Sequence, residues 1–123
     1  MSKTILIVED DIFLQGLEAT KLKKEGYDIQ NAANAAEAYK IFDSKTPIDL
    51  MLLDLMLPDI DGFTILEKVR HDPVMKDLPV VVFSNLSEEK DIERAKKLGI
   101  SEFMIKSNFN LDELTKKVRE LIG

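Results

Sequence analysis

The chain has 123 residues, 45% hydrophobic and 33% charged, with 17 Lys and Arg against 23 Asp and Glu, a net charge of -6 and no cysteine. That profile describes one soluble globular domain and excludes disulfide frameworks, thiolate zinc sites and cysteine nucleophiles. The acidity argues against a face that holds nucleic acid by its phosphates. Apolar runs such as residues 5–8 and 50–53 fall far short of the ~20 residues a membrane span needs. The first run ends in Glu9-Asp10-Asp11, which no signal peptide does, so a cytoplasmic location is expected.

In chain order, Ile5-Leu6-Ile7-Val8 predicts a strand buried on both faces. A helix follows from about residue 12 to 25, with Leu14, Leu17 and Leu22 only loosely aligned. A weaker strand is expected over 27–32. Asn34 can cap the next helix with Glu37 three residues on, ahead of Ala38, Ile41 and Phe42 on one face. Leu50-Met51-Leu52-Leu53 reads as a third strand. Residues 62–70 read as a helix carrying Phe63, Ile65, Leu66 and Val69, which stops before His71-Asp72-Pro73. Val80-Val81-Val82-Phe83 predicts a fourth strand. Ser87 is expected to cap a helix with Ile92, Ala95 and Leu98, ended by Gly99. A short strand over 103–105 precedes a last helix capped by Asn110 with Glu113, whose apolar stripe is Leu111, Leu114, Val118, Leu121 and Ile122.

Five strand–helix units in 123 residues imply a parallel sheet with right-handed crossovers and helices on both faces. A closed eightfold barrel would need about twice the length. The expected fold is therefore α/β, a (βα)5 doubly wound open sheet in the order 2-1-3-4-5, flavodoxin-like.

In such sheets ligands bind outside the carboxyl ends of the strands, where the strand order reverses. The strands end in Glu9-Asp10-Asp11, Asp54, Ser84-Asn85 and Lys106, so Asp10 and Asp54 meet at the switch point with Glu9 or Asp11 beside them. Crowded carboxylates favour a cation, and an all-oxygen set with room for water suits Mg²⁺. With Lys106 added, metal and ammonium can together neutralise a phosphoryl group. Asp54 is then the candidate nucleophile, and the Ser84 hydroxyl can hydrogen-bond the phosphoryl oxygens.

These pieces resemble the receiver domains of two-component response regulators, over nearly the whole chain. The matching segments are Ile5-Leu6-Ile7-Val8-Glu9-Asp10-Asp11, Asp54-Leu55-Met56-Leu57-Pro58-Asp59-Ile60-Asp61-Gly62, residues 79–84, and Lys106. The resemblance is to chemotaxis-type receivers, with a single receiver domain expected over 1–123 and no output domain, either as a stand-alone receiver or as the receiver of a longer regulator. It implies that Asp54 takes phosphate from a sensor histidine kinase or phosphotransfer protein. Asp10, Asp54 and the backbone carbonyl of Met56 would bind Mg²⁺, with Glu9 helping through water. Lys106 would contact the phosphoryl group, and Ser84 with Phe103 would form a switch pair. Output would pass to a downstream protein, or to a second copy through the last helix–strand–helix face, without direct contact to nucleic acid or membrane.

Other residues read more plainly. Of Glu9 and Asp11, one is expected at the metal and the other at a helix cap; Asp59 and Asp61 are expected in a loop and a cap, and His71 on the surface. A haloacid-dehalogenase-type phosphatase would need a carboxylate two residues after the nucleophile, where Met56 stands. A degenerate receiver acting only as a docking module is the competing binding reading. Two positions depart from the family pattern: Ser107 stands where proline usually follows the lysine, and Asn85 where a small residue is usual. The Lys106–Ser107 bond is therefore expected to be trans, with the loop over Ser107, Asn108 and Phe109 taking a path of its own.

Overall fold

Strand and helix alternate through the computed structural model, which describes residues 2–108 and 110–123. The elements are β1 (Thr4–Val8), α1 (Ile12–Lys24), β2 (Asp28–Ala32), α2 (Ala35–Asp43), β3 (Leu50–Leu53), α3 (Gly62–His71), β4 (Val80–Ser84), α4 (Glu89–Lys97), β5 (Glu102–Ile105) and α5 (Leu111–Ile122). All strand pairs are parallel and the order is β2-β1-β3-β4-β5. The (βα)5 flavodoxin-like expectation is the observed fold.

The three continuous apolar runs are the central strands β1, β3 and β4, because only there do helices cover both faces. Alternation sends Leu6, Val8, Met51, Leu53, Val80 and Val82 into one core with Phe42, Phe63 and Leu66. Ile5, Ile7, Leu50, Leu52, Val81 and Phe83 enter a second core with Ala19, Leu22, Leu114 and Val118. The edge strand β2 buries only Ala32 fully, which is why its pattern is weak.

Capping explains most helix starts. Asn34 and Asn110 accept from the amides of Glu37 and Glu113, Asp11 accepts from Leu14, and Asp61 accepts from Phe63. The Glu37 carboxylate reaches back to the Ala33 amide, completing a capping box one residue outside the cap itself. One expectation fails: Ser87 does not cap α4, which begins after Glu88 with no side-chain cap bond. The extra residue places Glu89 and Asp91 in the first turn, where their charges meet the exposed amides. Gly99, at φ +74, ends that helix in a conformation that strains other residues.

The stripe of α1 also differs from expectation. Glu18, Ala19 and Leu22 are buried and Leu14 partly so, whereas Leu17 is exposed. Leu14, Glu18 and Leu22 keep the i, i+4, i+8 spacing, and the carboxylate inside that stripe is what made the helix look poorly patterned. At Gly62 a Cβ would stand 2.5 Å from Leu55 Cα, so the start of α3 can lie against the segment after β3 only without a side chain. No peptide bond is cis among the described residues, so Lys106–Ser107 is trans as expected. Phe109, the third residue of the loop singled out above, lies outside the described residues.

Candidate functional site

β1 and β3 are neighbours in register, Val8 beside Leu53, so Glu9-Asp10 and Asp54 leave the sheet at the same level. Ser84 closes β4, and the Lys106 amide donates to its carbonyl, bringing the end of β5 alongside. The topology thus collects residues from four strand ends at the point where strand order reverses.

Asp54 is almost wholly buried, and both of its carboxylate oxygens are engaged. Oδ1 accepts from the Met56 amide at 2.9 Å and from the Ser84 hydroxyl at 2.8 Å. Oδ2 accepts from Lys106 Nζ at 2.6 Å. Lys106 also contacts Glu9 Oε1 at 2.7 Å, while Glu9 Oε2 accepts from the Asp11 amide. Burial holds the Glu9 carboxyl above its usual pKa against the pull of Lys106. For Lys106 burial acts to lower the pKa, but hydrogen bonds to Asp54 and Glu9 outweigh it and the net shift is upward. The ammonium is therefore a fixed charge at neutral pH.

Glu9, Asp10 and Asp54 can present one carboxylate oxygen each within 4.8 Å of one another. Three carboxylates against one ammonium leave two negative charges uncompensated. That charge and an all-oxygen donor set fit a hard divalent cation. Of the two acids weighed for that role, Asp11 caps α1 and Glu9 lies in the cluster.

An open groove of about 660 Å³ runs outward from the cluster, lined among others by Asp10, Met56, Asp61, Phe63, Leu86 and Arg94. Met56 is exposed and Leu86 half-buried. Phe103 is half-buried on β5 and packs against the core shared with α3 and α4. Asp59 caps α2 by accepting from the Ala35 and Ala36 amides, tying the loop after Asp54 to that helix. His71 is exposed and its ring nitrogen meets the Glu67 carbonyl, a surface role as expected.

Three residues near this site have contacts that the sequence pattern does not show. Arg94 stacks on the Phe63 ring at 4.1 Å and pairs with Glu67, bringing a cation to the groove. Asp59 was recognised as a loop residue but not as a clamp on a distant helix. Glu18 was legible only as a polar residue at the centre of the true α1 stripe.

A parallel 2-1-3-4-5 sheet with an acidic triad and a lysine at its switch point is the architecture of a phosphorelay receiver, a signalling module. The chain belongs to the response regulator receiver domain family, whose model matches residues 5–119. Its structure superposes on the non-phosphorylated HemR receiver domain from Leptospira biflexa with a TM-score of 0.91, 30% identity, and coverage of 99% of this chain and 95% of that one. It superposes on the Mn²⁺-bound form of the response regulator Rcp1 with a TM-score of 0.82 and 29% identity, covering 96% and 90%. The transcriptional regulatory protein KdpE of Staphylococcus aureus is 36% identical over 119 residues, 97% of this chain and 49% of that protein. The chain spans about half the length of the curated relatives it matches. No helix is long and apolar enough to cross a membrane among the described residues.

Proposed function

We propose that Asp54 accepts a phosphoryl group from a phosphohistidine of a sensor histidine kinase or phosphotransfer protein, and that its occupancy changes which proteins the chain binds. The observation that carries this reading is the Asp54 carboxylate, buried yet held on one oxygen by Ser84 and the Met56 amide and on the other by Lys106. A carboxylate oxygen forms the bond to phosphorus while the bond from phosphorus to the donor ring nitrogen breaks, and the electron pair stays on that nitrogen. Lys106 faces the charge that gathers on the phosphoryl oxygens, and the Ser84 hydroxyl is a donor to the same oxygens once Asp54 is phosphorylated.

Asp10, Asp54 and the Met56 carbonyl would hold Mg²⁺, with Glu9 acting through water. When bound, the ion supplies positive charge against the phosphoryl oxygens. The relative Rcp1 was solved with Mn²⁺, an ion of similar ligand preference. Ser84 and Phe103 form the switch pair, and the face made by α4, β5 and α5 receives the downstream protein or a second copy. Net charge of -6 supports an output through protein contacts and not by direct grip on nucleic acid, and the same reading places the chain in the cytoplasm. The domain's chemistry is confined to its own phosphorylation and dephosphorylation.

The test is uptake of label from acetyl phosphate with Mg²⁺. Wild type is expected to acquire an acid-labile acyl phosphate, and Asp54→Asn, nearly isosteric, to keep the fold and take none. Absence of label on the wild type would leave the docking-module reading in its place.

A further inference from the structure

One buried acid has no part in the phosphoacceptor reading. Glu18 lies on α1 with 1% of its surface exposed, and its Oε1 has no hydrogen-bond partner among the described residues. Buried polar atoms without partners are few in native proteins, because each gives up hydration with nothing in return. An apolar residue would avoid that cost, since the adjacent Ala19 and the later Leu22 pack into the core with Ile5, Ile7, Leu50, Leu52 and Met104.

That core underlies the site. Two residues beyond Ile7, Leu52 and Met104, alternation brings Glu9, Asp54 and Lys106 to the same side of the sheet. One turn before Glu18, the Gln15 side-chain amide (Nε2) donates to the carbonyls of Glu9 and Ala32, so this side of α1 is turned toward the end of β1. Burial first, and repulsion from Glu9 second, push the Glu18 pKa up to about 8, opposed by attraction to Lys106. A carboxyl so held is mostly protonated at neutral pH and still offers an acceptor oxygen.

Lys106 carries three N–H donors. Two are committed, to Asp54 Oδ2 and Glu9 Oε1. Phosphorylation turns the Asp54 carboxylate into a neutral acyl group, a weaker acceptor, and Lys106 must redistribute its donors. We propose that Glu18 is a positioning residue for Lys106, its buried Oε1 accepting a Lys106 N–H once Asp54 is phosphorylated and so holding the ammonium against the phosphoryl group. The proposal rests on the phosphoacceptor reading, and Glu18 itself touches neither phosphate nor metal in it.

The experiment compares wild type with Glu18→Met, Glu18→Leu and Glu18→Gln. It measures phosphate uptake from acetyl phosphate, together with the ¹⁵N–¹H signal of the Lys106 ammonium before and after loading. The two apolar variants are expected to unfold no more readily than wild type, yet to load about three- to tenfold more slowly, the worth of one hydrogen bond. They should also lose the exchange-protected Lys106 signal that loading produces in wild type. Glu18→Gln keeps an acceptor oxygen and is expected to restore both. Wild-type rates and an unchanged Lys106 signal in the apolar variants would overturn the proposal, as would a Glu18→Gln variant as impaired as they are. A wild type that takes no phosphate would instead remove the phosphoacceptor reading, and this proposal with it. If one apolar variant fails to fold, the other carries the comparison.

Discussion

Met56 and Leu86 line the groove that starts at Asp10, and neither side chain offers a strong hydrogen-bond partner to a water. Hydrolysis of an aspartyl phosphate needs a water in line with phosphorus, so apolar groups at these two places crowd that water without orienting it. Asn85, beside Ser84, adds bulk at the end of the same strand. A long-lived phosphorylated state is expected, and Met56→Asn/Leu86→Glu should decay several-fold faster than wild type in a time course with Mg²⁺. Glu18 bears on stability as well as on positioning. Its pKa rises from 4.5 in the unfolded chain to about 8 in the folded one, so between those values the native state binds the extra proton. The contribution of Glu18 is therefore most favourable below pH 4.5, is lost progressively as pH rises to 8, and is level beyond. The full loss is on the order of 5 kcal/mol. Urea unfolding across that range should show wild type losing stability relative to Glu18→Gln as pH increases; parallel profiles would contradict the shift.

Among the elements, α3 and α4 are joined by Arg94, which meets Phe63 and Glu67, and by Arg70. The Arg70 guanidinium on α3 donates to the carbonyls of Leu98 and Gly99 at the end of α4 and to those of Lys76 and Leu78 ahead of β4. Arg70→Met would leave four carbonyls short of a charged donor and should cost about 2–3 kcal/mol, read as a lower urea midpoint at unchanged slope. A lysine has no planar fork and should recover only part of that. Helix α4 depends on such contacts because it buries only Ala95. Its capping was the one misread start, since Ser87 and Glu88 both precede the apolar periodicity and only backbone geometry separates them. The stripe of α1 was misread for a different reason: hydrophobic patterning assumes a buried face is apolar, and Glu18 breaks that assumption at the centre of the face.

For the molecule as a whole, two uncompensated charges at the switch point predict that Mg²⁺ stabilises the fold. An ion selective for the native state adds RT ln(1 + [L]/Kd), about 2.7 kcal/mol at a hundredfold excess over Kd. The thermal midpoint should rise with Mg²⁺, and Asp10→Ala should abolish the rise; an unchanged midpoint at saturation would count against the site. Sequence alone determined the strand–helix alternation, four of the five helix starts, and the carboxylates, serine and lysine that end the strands. These are local properties: a strand buried on both faces must be apolar throughout, and a cap must lie beside the amides it serves. Only the tertiary structure decided that Glu9 and not Asp11 joins the acidic cluster, that Lys106 spans Glu9 and Asp54, and that Asp59 clamps α2. It alone brought Glu18 beneath the site. Contacts between residues far apart in the chain depend on how the helices lie against the sheet, and no spacing along the sequence records that packing.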